Sequence, residues 1–139
     1  MTGRAGRDIV SLDGLDVAIV EDDAGVRIAY GDLISSYGLE TSLFASAEEF
    51  LNSDESIHCK CLILDQRLPG LMGTELQSIL LEKAPTMPII FVTSQNDQAT
   101  MKRAIGNGAR YFLVKPIEER ELMHSVFSVI GALHLFPED

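Results

Sequence analysis

Four stretches decide the fold: Ile19-Val20-Glu21-Asp22-Asp23, Leu62-Ile63-Leu64-Asp65, Phe91-Val92-Thr93-Ser94 and Phe112-Leu113-Val114-Lys115-Pro116. Each is a short apolar run that ends in a side chain able to do chemistry. Runs of this length, apolar throughout, read as strands buried on both faces, which is the habit of parallel sheets. If all four lie in one parallel sheet, their last residues emerge at one edge. Three carboxylates, a hydroxyl and an ammonium then face a single crevice, the place where open α/β sheets bind ligands.

The segments between these runs supply the crossovers. Strands are expected at Val17–Val20, Thr41–Phe44, Cys61–Leu64, Ile89–Val92 and Tyr111–Val114. After Asp23 the period changes, and Val26, Ala29, Tyr30, Leu33, Ile34 and Tyr37 follow helical spacing up to Gly38. Ser46-Ala47-Glu48-Glu49 has the form of a capping box and starts a short second helix. Asn52 to Ser56 reads as a turn. The Pro and Gly of Leu68-Pro69-Gly70-Leu71-Met72-Gly73 mark a loop, and a third helix with Leu76, Ile79 and Leu80 on one face follows. Asn96 or Asp97 can cap a fourth helix that ends at Gly106-Asn107-Gly108. Glu118 opens a last helix with Leu122, Val126, Val129, Ile130 and Leu133 on its buried side, and His124 and His134 along it. Strand and helix thus alternate five times, predicting an α/β fold with a doubly wound five-stranded parallel sheet.

Composition fits one domain. The chain has 139 residues, of which 46% are hydrophobic, enough for a core. Its 11 basic and 21 acidic residues give a formal net charge of -10, a field that repels nucleic acid and anionic lipid and points to protein partners. No apolar run approaches the ~20 residues of a membrane span, and no secretory signal is evident. Cys59 and Cys61 are expected on one strand face as packing thiols in a reducing cytoplasm. Residues 1–14 read as a flexible leader, and 134–139, with the apolar Leu135 and Phe136, as a C-terminal tail.

Glu21, Asp22 and Asp65 repel one another unless protons or a cation neutralise them. Hard oxygen ligands beside a phosphoryl site favour magnesium. Lys115 is the one cation among the strand-end groups and can balance phosphoryl charge. Thr93 offers a hydroxyl donor. Asp23 reads as a helix-start residue rather than a ligand.

The set Glu21-Asp22, Asp65, Thr93 and Lys115-Pro116 resembles the receiver domain of two-component response regulators, across about residues 15–133. The loop Leu68–Gly73 resembles the segment that follows the family's phospho-acceptor. The resemblance implies the flavodoxin-like strand order 2-1-3-4-5. It also implies that Asp65 accepts a phosphoryl group from a sensor histidine kinase or phosphotransfer protein. Magnesium would be held by Asp22, by Asp65, by the backbone carbonyl of Arg67 and, through water, by Glu21. Thr93 and Lys115 would hold the phosphoryl oxygens, and Phe112 stands at the family's switch aromatic. The altered surface would lie on the fourth helix, fifth strand and last helix, around Lys102, Arg103 and Arg110, where a homodimer, another protein partner or a further output domain would read it. Ser94 and Gln95 depart from the usual pattern and are expected to tune phosphate lifetime.

The implied protein is a cytoplasmic switch, not an enzyme turning over an external substrate. The alternative is a haloacid-dehalogenase-like phosphatase with an aspartyl nucleophile. That chemistry wants a second Asp two residues on, where Arg67 stands. A flavodoxin-like binding module would need a phosphate loop where Glu21-Asp22-Asp23 sits, and that segment has the wrong charge.

Overall fold

The computed structural model describes residues 15–54, 58–94 and 97–136. Five strands alternate with five helices: β1 Val17–Val20, α1 Ala24–Ser36, β2 Thr41–Phe44, α2 Ala47–Leu51, β3 Cys61–Leu64, α3 Gly73–Lys83, β4 Ile89–Thr93, α4 Gln98–Gly106, β5 Tyr111–Val114 and α5 Glu119–Val129. A 3-10 turn at Leu133–Leu135 follows. All strand pairs are parallel, in the order β2-β1-β3-β4-β5. The expected sheet is therefore present, with β4 one residue longer than the apolar run implied.

Strand residues alternate between two cores, one on each face of the sheet. Ala18, Val20, Leu62, Leu64 and Phe91 pack with Phe50 of α2, Leu76 and Leu80 of α3 and Ala104 of α4. Val17, Ile19, Cys61, Ile63, Ile90 and Val92 pack with Ile34 of α1 and with Leu122, Met123, Val126 and Phe127 of α5. Because both faces are covered, the central strands carry no polar residue until they end.

The helix starts are set by side chains that satisfy free backbone N–H groups. Asp23 Oδ1 accepts from Val26 N–H at 2.9 Å and caps α1. Asp97 accepts from Ala99 N–H and the Thr100 hydroxyl and caps α4, while Asn96 and Gln95 lie outside the described residues. Ser46 Oγ accepts from Glu49 N–H, but Glu49 Oε1 returns to Ala45 N–H rather than Ser46, so the box is shifted by one residue.

Several expectations need correction. Ala29 is exposed, whereas Gly31 is buried on the inner face of α1, where a Cβ would meet Leu43 at 2.9 Å. Apolar periodicity is blind to a glycine, which has no side chain to mark the inner face. Gln77 is buried on α3 beside Leu76 and Leu80. Helix α5 stops at Val129 because Gly131 adopts φ 78, with Ala132 N–H bonding back to Phe127 O at 2.9 Å. Leu133 is consequently 43% exposed, and His134 is not on the helix.

Cys59 and Cys61 lie in different cores, because β3 begins only at Cys61. Both are buried thiols outside any disulfide, as packing requires. The turn expected at 52–56 holds for Asn52, which caps α2, while residues 55–57 lie outside the described residues, as do the leader 1–14 and residues 137–139. Phe136, in the apolar tail, is buried. Its ring stacks on Phe127 at 5.6 Å and on Tyr37 at 6.3 Å, with the Arg120 guanidinium 4.9 Å from its centre.

Candidate functional site

The strand-end residues converge because the parallel register places the ends of β1 and β3 side by side, Val20 opposite Leu64. Each next residue stays tied to the sheet. Glu21 N–H donates to Phe44 O, Asp65 N–H to Val20 O, and Lys115 N–H to Thr93 O. Glu21, Asp65 and Thr93 are buried, while Asp22 is exposed at the rim.

Carboxylate oxygens of Glu21, Asp22 and Asp65 all lie within 4.8 Å of one another. Lys115 Nζ donates to Glu21 Oε1 at 2.8 Å and to Asp65 Oδ2 at 3.2 Å. The other oxygen of Asp65 accepts from Arg67 N–H at 3.3 Å. Asp23 N–H donates to Glu21 Oε2. Three carboxylates against one ammonium leave negative charge uncompensated. Hard oxygen donors in this number suit a small divalent cation such as magnesium.

The titration behaviour follows from that imbalance. Burial is the largest influence on Glu21 and, with the Asp65 charge, raises its pKa despite hydrogen bonds from Lys115 and Asp23. Burial works against the charge of Lys115, but Glu21 and Asp65 outweigh it and raise the lysine's pKa. The ammonium is therefore held firmly protonated between its two partners.

Three supporting features escaped the sequence reading. Arg27 Nη1 donates to the backbone carbonyls of Glu21 at 2.8 Å and Asp22 at 3.3 Å, fixing the acidic turn without spending its charge on the carboxylates. Its position in the first turn after the Asp23 cap was the available signal. Tyr30, read only as core, lies half-buried within the field of the site. Burial raises its phenol pKa, Lys115 opposes, and Glu21 and Asp65 add to the rise. The loop after Asp65 is locked by Gln66, whose Oε1 accepts from Thr74 N–H at 2.8 Å. Gly73 comes so close that a Cβ there would sit 2.5 Å from the Asp65 carbonyl oxygen.

Phe112 is half-buried, its ring 5.9 Å from Phe91 and nearly parallel to it. Tyr111 faces the other core, with its hydroxyl 3.2 Å from Ser128 Oγ. Ser94 is exposed just past Thr93, and Gln95 lies outside the described residues. Lys102, Arg103 and Arg110 are all exposed. The Lys115–Pro116 peptide is cis.

A doubly wound sheet with an acidic triad, a hydroxyl and a paired lysine at one edge defines a phosphoryl-handling switch of the receiver class. The sequence model of the response regulator receiver domain matches residues 17–127, and the chain belongs to that family. It is a phospho-accepting signalling switch of the two-component type. The chain is 36% identical over 136 residues to the response regulator protein TmoT of Ectopseudomonas mendocina, covering 98% of this chain and 60% of TmoT. It is 40% identical to nodulation protein W of Bradyrhizobium diazoefficiens, covering 89% of this chain and 54% of that protein. Among solved structures, the response regulator StyR matches with TM-score 0.77 at 35% identity, over 88% of this chain and 62% of StyR. A receiver domain from Methanospirillum hungatei shares the fold with TM-score 0.80 at 24% identity, over 87% of this chain and 98% of its own. The chain thus spans only part of the length of its curated relatives. The haloacid-dehalogenase alternative finds no support in these matches.

Proposed function

We propose that Asp65 is the phospho-acceptor. The observation that carries this is its carboxylate, buried at the end of the central strand, within reach of the Lys115 ammonium and of Glu21 and Asp22. An Asp65 oxygen attacks the phosphorus of a phosphohistidine on a sensor histidine kinase or phosphotransfer protein. The P–N bond breaks, the imidazole leaves with the electron pair, and an aspartyl phosphate forms. Asp22, Asp65 and the Arg67 carbonyl would hold magnesium, with Glu21 acting through water. The ion would neutralise the carboxylates and the phosphoryl oxygens during transfer.

Lys115 exchanges its bond to Asp65 for one to a phosphoryl oxygen, and Thr93 donates its hydroxyl to another. Movement of Thr93 gives Phe112 room to turn further inward from its half-buried place on Phe91. The face built from α4, β5 and α5, with Lys102, Arg103 and Arg110, then presents an altered surface to a protein partner, to a second copy or to an output domain. The relatives' greater length supports the last of these. The domain itself is residues 15–133, working in the cytoplasm without turnover of an external substrate. Ser94, exposed beside the crevice, narrows access to Asp65, and Gln95 acts with it on phosphate lifetime. Incubation with acetyl phosphate and magnesium should add one phosphoryl mass to the protein and none to Asp65→Asn. An adduct that persists in that variant refutes the assignment. The same labelling on Ser94→Ala should run faster, and an equal rate removes the role given to Ser94.

A further inference from the structure

The corner between α4 and β5 is closed by backbone bonds around Gly108, which takes φ 103. Ala109 N–H donates to Ala104 O at 3.0 Å, and Gly108 N–H to Ile105 O at 2.9 Å, the pattern of a Schellman cap. The Ala104 carbonyl also accepts a second hydrogen bond, from Gln77 Nε2 on α3, at 2.8 Å. Gln77 is 1% exposed, and its Oε1 is the one buried side-chain oxygen or nitrogen among the described residues without a hydrogen-bond partner. A cavity of about 130 Å³ opens beside it, lined by Gln77, Leu80, Leu81, Ile89, Asn107 and Gly108.

Burying an amide with its acceptor unmet costs free energy. Packing alone does not account for a glutamine here, since an apolar side chain of the same length would suit Leu80 and Ile89 better. What the amide supplies is the single bond to the α4 cap. One turn earlier, α3 is anchored at the acceptor loop, where Gln66 grips Thr74 through both the backbone N–H and the hydroxyl. Thr74 and Gln77 are three residues apart, on one face of the helix. The corner that Gln77 holds leads within three residues of Ala109 to Phe112. A continuous run of bonds therefore joins the residue after Asp65 to the start of the strand that carries the switch aromatic.

We propose that Gln77 is a latch: a positioning residue through which α3 holds the α4–β5 corner, and with it Phe112, in the resting place. The cavity beside it gives the corner room to shift once the bond is released. This rests on the reading of Asp65 as phospho-acceptor. The test is Gln77→Met, which keeps the length and removes the amide. Ala104 O still receives Ala109 N–H, so the variant leaves no new buried acceptor unmet. Gln77→Leu serves as a second, shorter apolar replacement.

Two quantities are measured: hydrogen exchange of residues 104–112 in the unphosphorylated protein, and the initial rate of labelling by acetyl phosphate with magnesium. Loss of one net hydrogen bond from the resting state shifts the equilibrium roughly fivefold. Exchange at the corner and labelling should both rise by about that factor, with the melting temperature unchanged or higher. Exchange and labelling equal to the parent's overturn the latch. So does a lower melting temperature with unchanged labelling, which would mark Gln77 as packing only. Failure of the parent to label at all overturns the Asp65 reading and the coupling together, whereas a labelled parent with an indifferent Gln77→Met overturns the latch alone.

Discussion

Replacing Lys115 with Met probes the electrostatics of the crevice directly. The ammonium lies 2.8 Å from Glu21 and 3.2 Å from Asp65, and the lysine side chain is 20% exposed against 4% and 9% for its partners. At an effective dielectric constant of about 20, the two attractions are roughly 6 and 5 kcal/mol. Desolvation of three charges takes back most of that sum. Removing one partner of a buried pair costs about 3–5 kcal/mol, because the other is left uncompensated. Since Lys115 keeps a fifth of its exposure and the site opens at Asp22, a loss at or just below the bottom of that range applies, about 2–3 kcal/mol. That loss should appear in urea unfolding with EDTA present. Magnesium should restore much of it, because a cation relieves the same carboxylates, and the variant's affinity for magnesium should exceed the parent's by about tenfold or more. A loss below ~1 kcal/mol in EDTA, or an unchanged magnesium affinity read from melting temperature against metal concentration, would refute the charge balance described here.

Gly73→Ala should lose about 1–2 kcal/mol in urea unfolding and slow Asp65 labelling, because its Cβ would meet the backbone of Asp65 and Gln66 rather than a movable side chain; unchanged stability would mean the loop yields freely. Phe136→Ala should cost about 2 kcal/mol, less than the ~3–5 of a central phenylalanine, through loss of its stacking on Phe127 and Tyr37; an unshifted unfolding midpoint would show that the tail contributes nothing. Burial holds the Cys61 thiol well above its ordinary range. The folded chain therefore keeps a proton that the unfolded chain releases, so this residue's contribution is intact below the ordinary thiol pKa and stability falls as pH rises past it. Cys61→Ala should flatten that alkaline decline, and an identical decline in the variant would assign it elsewhere.

The sheet was readable because strands covered on both faces must be apolar throughout, and their functional residues can appear only where they end. Val17–Val20 and Cys61–Leu64 show this plainly, and so Glu21, Asp22, Asp65, Thr93 and Lys115 could be picked out without coordinates. Caps such as Asp23 and Asp97 were legible for a related reason, since a helix start exposes N–H groups that a nearby carboxylate answers locally. Tertiary structure alone decided what depends on close approach between distant segments. Gly31 is covered by the Leu43 side chain, whose methyl groups would have to move for a Cβ. Arg27 turns to backbone carbonyls, and Gln77 reaches across to α4. Leu133 is turned out by the left-handed Gly131, while Phe136 is drawn back onto Tyr37 and Phe127. Periodicity reports the average face of a helix. It carries no information on which polar side chain finds a buried carbonyl, because that partner belongs to another element whose position is set only when the whole sheet is assembled.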